Sequence, residues 1–401
     1  MERPKNIGVF GGTFNPPHAG HILTAQSAAN DLGLDLLLFI PTGMPPHKEL
    51  PERTPNPQER LQMLKIAVDG IPNTQVCDLE LLREGKSYTV HTIRELRKQY
   101  PEATFWLMMG TDMFLTLESW YAHEDLLSMV NLVVLNRGEE QEMERNLSQA
   151  AHLNERYGVK AVCIGAPPLV VSSTDLRIAL QNGTWNKYVF PSVYGYILRH
   201  HLYGVNKDLK NLNWEDLRAL ASSLLQAKRI PHVMGTERAA VSLSQRWGAS
   251  EDDTRTAALL HDCTKRLTEE EQLKLCDKYG IVLDSLEQTT VKLIHARTGA
   301  ALARELCGVS DAVYEAIRWH TTGRANMSLL EKIIYLADYI EETRDFEGVE
   351  QLRKLSYQDI DAAVCLGLQM TMEEMRSAGR PIHYRTVEAY NWLKGIENES
   401  K

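Results

Sequence analysis

Up to Tyr203 the chain alternates short β-rich runs with helical patterns, and beyond it the strands stop. Residues 7–10, 36–40, 74–77, 104–109, 132–135 and 161–164 read as strands, with helical stretches between them. One of those helices opens Asn56-Pro57-Gln58-Glu59, a cap residue, a first-turn proline and an acid. Such alternation predicts an α/β domain built on a parallel sheet. Residues 204–213 are polar and poor in apolar side chains, and read as a linker. From Trp214 to Leu393 the pattern is helical nearly throughout, as at 290–306, 328–342 and 357–375, which predicts an all-α second domain. The expected organisation is residues 1–203, the linker, and 214–401, since 401 residues exceed one ordinary core.

The turn after the first strand is the most specific local signal. Gly8-Val9-Phe10-Gly11-Gly12-Thr13-Phe14-Asn15-Pro16-Pro17-His18-Ala19-Gly20-His21 leaves a strand, passes two glycines and two prolines, and sets two histidines where a helix should begin. That layout suits phosphate: Gly11 and Gly12 let the backbone approach an anion, and the helix start offers free N–H groups. His18 and His21 add two more donors. In an open α/β sheet such a site lies at the carboxyl ends of the strands, at the switch point.

Other loops carry compatible chemistry. Pro41-Thr42-Gly43-Met44-Pro45-Pro46-His47-Lys48 follows the second strand and would deliver Lys48 to a phosphate. Ser87-Tyr88-Thr89 opens a helix, which its side chains would cap. Gly110-Thr111-Asp112 ends the fourth strand, and Trp120-Tyr121 follows it, an aromatic pair able to stack on a flat ring. Val171-Ser172-Ser173-Thr174-Asp175-Leu176-Arg177 puts hydroxyls at a helix start with an arginine one turn in, a grip for polyphosphate.

In this order the pieces resemble the bacterial nicotinate-nucleotide adenylyltransferases, over residues 5–203 and ending in the Tyr-Ile-x-x-x-x-Leu-Tyr pattern of 196–203. Gly-Thr-Asp for Gly-Ala-Asp or Gly-Ser-Asp, and Val-Ser-Ser-Thr for Ile-Ser-Ser-Thr, are its small departures. The resemblance implies a Rossmann-like nucleotidyltransferase that joins ATP to nicotinate mononucleotide with Mg²⁺. It implies catalytic roles for His18, His21, Lys48 and Arg177. ATP and the mononucleotide would be bound by Gly11, Gly12, Phe14, Asn15, Thr89, Asp112, Trp120, Ser172, Ser173 and Thr174, with Trp120 on the pyridine ring. Preference for nicotinate over nicotinamide needs a donor near the carboxylate, and the sequence does not display one. A rival reading is another adenylyltransferase, for pantetheine phosphate.

The helical half carries a second constellation. His261-Asp262 ends the apolar run 257–260, His232 lies one helix upstream, and His295 and His320 fall on two later helices. Asp338 interrupts the apolar stretch 334–340, where a lone carboxylate is expensive without a compensating charge or metal. Pro-His at 231–232, Leu-Leu-His-Asp-x-x-Lys at 259–265, His-x-x-x-Gly at 295–299, Trp-His-Thr-Thr-Gly at 319–323 and Leu-Ala-Asp-Tyr-Ile-Glu at 336–341 resemble the HD-domain phosphohydrolases. Within that group they are similar to the branch that splits diadenosine tetraphosphate into two ADP. The metal ligands implied are His232, His261, Asp262, His295, His320 and Asp338, enough for one or two ions, with Asp262 as the bridge. Lys265 would hold a second phosphate. Imidazoles and carboxylates without thiolates suit Fe, placed first, or Mn, Co or Zn. A rival reading makes this half a nucleotide sensor without chemistry, or a hydrolase of other nucleotides.

Composition sets the outer limits. A net charge of −9, with both halves mildly acidic, argues against a nucleic-acid binder. No apolar run approaches the roughly 20 residues that span a bilayer, and the N-terminus leaves no room for a signal peptide. Six scattered cysteines without a Cys-x-x-Cys pair read as buried thiols of a cytoplasmic protein. The expected partners are small nucleotides; a homo-oligomer is left open.

Overall fold

In the computed structural model residues 3–45, 49–136, 140–165, 172–185 and 188–399 are described. The chain divides into two compact units, Met1–Asn206 and Lys207–Lys401, a division that falls inside the polar stretch 204–213. No helix among the described residues is long and apolar enough to cross a membrane.

The first unit is built on a six-stranded sheet. Its strands are β1 (Asn6–Gly12), β2 (Leu36–Pro41), β3 (Thr74–Val76), β4 (Thr104–Gly110), β5 (Asn131–Asn136) and β6 (Ala161–Gly165). They lie in the order β3-β2-β1-β4-β5-β6, all parallel. β2 is buried at every position, as a strand covered on both faces must be. Ile7, Val9, Leu38, Leu107, Val134 and the helix residues Ile93 and Leu96 form one core on this sheet. The chain order reverses between β1 and β4, so the crevice outside their carboxyl ends is the place where such a sheet binds ligands.

Local chemistry sets where the helices start. Asn56 and Glu59 form a reciprocal capping box at the head of the helix Pro57–Val68. The helix Thr89–Gln99 corrects one expectation: its N-cap is Tyr88, without a side-chain bond, so neither Ser87 nor Thr89 caps it.

The second unit is helical, around a core that includes Leu220, Val233, Leu243, Leu260, Ile317, Ile333, Leu336 and Leu368. The predicted helices recur as Val291–Cys307, Leu329–Ile340 and Ile360–Ser377. The last starts later than expected because Asp359 caps it, its carboxylate accepting the Ala362 N–H at 3.0 Å. Ser328 and Glu331 form a second capping box. Of the six free cysteines only Cys263, Cys276 and Cys365 are buried; Cys77, Cys163 and Cys307 are half-buried.

Candidate active site and candidate metal centre

β1 delivers its phosphate turn to the crevice. His18 is the N-cap of the helix Ala19–Asp31 and His21 lies in its first turn, with the two rings stacked 3.6 Å apart. Phe14 holds a left-handed backbone (φ 46°), a conformation that burial between Phe10 and Phe39 makes tolerable. A methyl on Gly11 would meet nothing within 4 Å and would stand in the open crevice.

Two cavities adjoin there and share Phe10, Gly11, Gly12, Thr13, Gly110 and Met113. The first, about 400 Å³, gathers His18, His21, Asn15, Asp112, Ser172, Ser173, Thr174 and Arg177. Arg177 crosses from its own helix to donate to the Asn15 carbonyl (2.9 Å), and also donates to Thr174 Oγ1 one turn back (3.0 Å). Ser172 also serves its own helix. Its hydroxyl caps the helix Ser173–Gln181 and also donates to Asp175, leaving Ser173 and Thr174 at the open helix start. The second cavity, about 480 Å³, is lined by Tyr88, Thr89, Trp120 and Tyr121, with Glu80 and Ser87 behind them. Imidazole, hydroxyl and guanidinium groups thus line one cavity and aromatic rings the other. Lys48, with Pro46, His47 and Val171, lies outside the described residues.

Among the buried charged side chains that sequence reasoning passed over, Arg60 and Glu80 bear on this crevice. Arg60, fully enclosed, donates to the carbonyls of Thr13 and Thr42 at 2.8 Å each and of Gly43 at 3.3 Å, tying both crevice loops to one helix. Nothing in its helical context marks it. Glu80 is buried and accepts from Thr92 Oγ1 at 2.8 Å. Burial pushes its carboxyl above the usual range, an effect that Thr92 and nearby Arg83 only offset. A carboxyl raised in the folded state stabilises below its unfolded pKa, and that contribution is lost as pH rises through the folded one. Glu80→Gln is therefore expected to raise the melting temperature by a few degrees at pH 8 and to flatten its decline above pH 5. Thermal unfolding against pH checks this; an unchanged slope contradicts it.

The second unit brings five helices together. His232 lies in Ile230–Trp247, and His261 and Asp262 at the end of Glu251–Leu260. His295 lies in Val291–Cys307, His320 ends Asp311–Trp319, and Asp338 lies in Leu329–Ile340. All six predicted ligands converge. Each imidazole has Nδ1 on an oxygen: His232 on Glu341 (2.9 Å), His261 on the Ala258 carbonyl (2.7 Å), His295 on Lys292 (2.6 Å) and His320 on Ile317 (2.7 Å). That fixes the Nδ1–H tautomer and turns four Nε2 lone pairs inward.

They meet the two carboxylates. Asp262 Oδ1 lies 3.1 Å from His295 Nε2 and 3.6 Å from His320 Nε2. Its Oδ2 lies 3.5 Å from His261 Nε2 and 4.0 Å from His232 Nε2. Asp338 Oδ1 lies 3.0 Å from His232 and 3.9 Å from His261, and its side chain is 16% exposed, less buried than its apolar neighbours suggested. His232 Nε2, His261 Nε2 and Asp262 Oδ1 are buried without a hydrogen-bond partner. Burial drives His261 down to about 3 and His295 to about 4, so both are neutral, and able to ligate, at pH 7. Converging lone pairs with no proton between them fit divalent cations, and the two oxygens of Asp262 face two groups of imidazoles.

Residues outside the predicted set support this cluster. Glu341 orients His232, and Gly235 makes room for it, since a Cβ there would stand 2.6 Å from Glu341 Oε2. Lys265 Nζ reaches Asp262 Oδ1 at 3.4 Å and His295 at 3.3 Å. Arg229 and Arg344 each grip a ligand carboxylate. Another group, Asp284, Glu287 and His383, is already satisfied by Arg297, backbone N–H groups and its own Asp284–His383 pair.

Comparison with known proteins agrees with this division. Residues 9–179 match the Cytidylyltransferase-like family and residues 229–343 the HD domain. A probable nicotinate-nucleotide adenylyltransferase of Oceanobacillus iheyensis is 40% identical over 205 residues, covering 51% of this chain and 100% of that relative. Its counterpart in Halalkalibacterium halodurans is 37% identical over 209 residues, 52% of this chain and 95% of the relative. Among solved structures, a predicted HD superfamily hydrolase involved in NAD metabolism from Clostridium acetobutylicum is 35% identical. It covers 46% of this chain and 98% of its own, with a TM-score of 0.45. Through its first unit the chain belongs to the nicotinate-nucleotide adenylyltransferase family, and its second unit carries an HD domain.

Proposed function

We propose that the first unit transfers AMP from ATP to nicotinate mononucleotide, giving deamido-NAD and pyrophosphate. One observation carries this reading: a cavity of phosphate-binding groups adjoins one lined by aromatic rings, across a glycine floor. The mononucleotide's phosphate oxygen attacks the α-phosphorus in line, and the bond to the β-phosphate oxygen breaks. No protein nucleophile is needed, so the residues act by position and charge. His18 and His21 donate to the α-phosphate as its negative charge grows. Lys48, Arg177, Ser173 and Thr174 hold the phosphates that leave, with Mg²⁺ as the expected counter-ion of ATP. Thr89 and Trp120 receive the pyridine ring, and Gly11, Gly12, Phe14, Asn15, Asp112 and Ser172 shape the crevice.

For the second unit we propose metal-dependent hydrolysis of a dinucleoside polyphosphate, diadenosine tetraphosphate to two ADP. The convergence of four imidazole Nε2 atoms on Asp262 and Asp338 supports the metal centre. The substrate rests on the resemblance of the motifs between 231 and 341. Bound divalent metal, Fe first among the candidates, supplies Lewis-acid charge and an activated water. The chain's own part is to hold that charge with His232, His261, Asp262, His295, His320 and Asp338, and to steady phosphate oxygens with Lys265. Both reactions point to a cytoplasmic enzyme of nucleotide metabolism.

The test is to assay the intact chain with ATP plus nicotinate mononucleotide, nicotinamide mononucleotide or pantetheine phosphate, and with diadenosine tetraphosphate plus Fe²⁺ or Mn²⁺. Pyrophosphate release fastest with nicotinate mononucleotide, together with ADP from the tetraphosphate, is the expected result. Preference for pantetheine phosphate overturns the first assignment. Bound metal without turnover makes the second unit a sensor.

A further inference from the structure

The carboxylates that gather the imidazoles are also held by guanidinium groups. Arg229, just ahead of the helix Ile230–Trp247, places Nε and Nη2 each 2.6 Å from Asp262 Oδ2. Arg344, just past Leu329–Ile340, places Nη2 2.6 Å from Asp338 Oδ1 and Nε 2.8 Å from the Asp338 carbonyl. With Lys265 beside Asp262, three cations face the three carboxylates Asp262, Asp338 and Glu341, so their formal charges cancel. The cations stand on the solvent side: Arg229, Arg344 and Lys265 are 26%, 31% and 35% exposed, against 0%, 16% and 0% for the carboxylates.

That arrangement sets a competition. A divalent ion drawn to Asp262 and Asp338 needs the oxygens on which the arginines now rest, and it adds positive charge to a neutral cluster. A displaced guanidinium stays on the solvent side, where an anion must sit to restore the balance, and its planar fork matches two phosphate oxygens. We propose that Arg229 and Arg344 are exchange ligands: they hold the carboxylates while metal is absent, release them to metal, and then take the phosphate of a nucleotide. The proposal rests on the metal reading above. It makes metal and phosphate binding mutually reinforcing, since each favours the state the other needs.

Mn²⁺ binding to the full-length chain, measured by electron paramagnetic resonance with and without inorganic phosphate, tests this. The Asp262→Asn protein serves as the background for binding elsewhere. In the native chain phosphate is expected to tighten Mn²⁺ roughly fivefold or more. In Arg229→Gln and Arg344→Gln, Mn²⁺ alone should bind more tightly than to the native chain, and the phosphate effect should shrink towards onefold. Arg229→Lys keeps the charge without the fork and should fall between. The metal-free melting temperature should drop in both Gln variants while the Mn²⁺-loaded value holds, a pattern that simple misfolding would not give. If the Gln variants bind Mn²⁺ no better and keep the phosphate effect, the arginines are structural pairs and the proposal fails alone. If the native chain binds no Mn²⁺ above background, the metal reading fails and the proposal with it.

Discussion

Replacing His18 or His21 by alanine is expected to cut kcat for adenylyl transfer by about 100-fold or more while KM moves little. Both rings sit at the start of one helix in the first cavity, where the proposed transfer would build charge only as the α-phosphorus gains its fifth oxygen. A donor aimed at that charge acts on the transition state more than on bound ATP. Because the rings stack, either truncation also removes packing, so thermal unfolding must accompany the kinetics. A folded variant with near-native kcat contradicts the assignment; a variant whose KM alone rises makes the histidine a binding group only.

Asp262→Asn is expected to strip metal and to lower dinucleotide hydrolysis by two orders of magnitude or more, leaving adenylyl transfer within about twofold of native. The amide preserves shape but removes the charge around which four imidazoles are arranged, and its NH₂ would face a lone pair or a guanidinium. Each unit has its own core, so the loss should stay local. Treatment with EDTA should act on hydrolysis in the same way, provided Mg²⁺ is restored for the transferase. Undiminished hydrolysis removes Asp262 from the chemistry. Loss of both activities shows that the units depend on one another.

What was legible in the sequence was what is local. The strands of the sheet and the capped helix at Asn56 follow from periodicity and from side chains within a turn of each other. His18, His21 and the Ser173–Arg177 segment were legible because each lies in a short motif at a strand-to-helix turn. The six candidate metal ligands stood out because Asp338 interrupts an apolar helix, where a lone carboxylate is costly, and because the others carried motif neighbours. Arg60 escaped because its three acceptors are backbone carbonyls of other loops, and no pattern in one helix encodes them. Arg229 and Arg344 escaped for a related reason. They pair with residues 33 and 6 positions away, and surface-type arginines are too common to stand out. The capping role of Ser172 was not foreseen, because a hydroxyl at a helix start serves a cap as readily as a ligand.

On this reading one chain carries two separable phosphate chemistries. Its most direct test measures both rates on single preparations of the native chain, His21→Ala and Asp262→Asn. Pyrophosphate release is followed with ATP and nicotinate mononucleotide, and ADP release with diadenosine tetraphosphate and Mn²⁺. A crossed result is expected, each variant losing one rate and keeping the other; a native chain lacking either rate, or a variant that loses both or neither, refutes the separation.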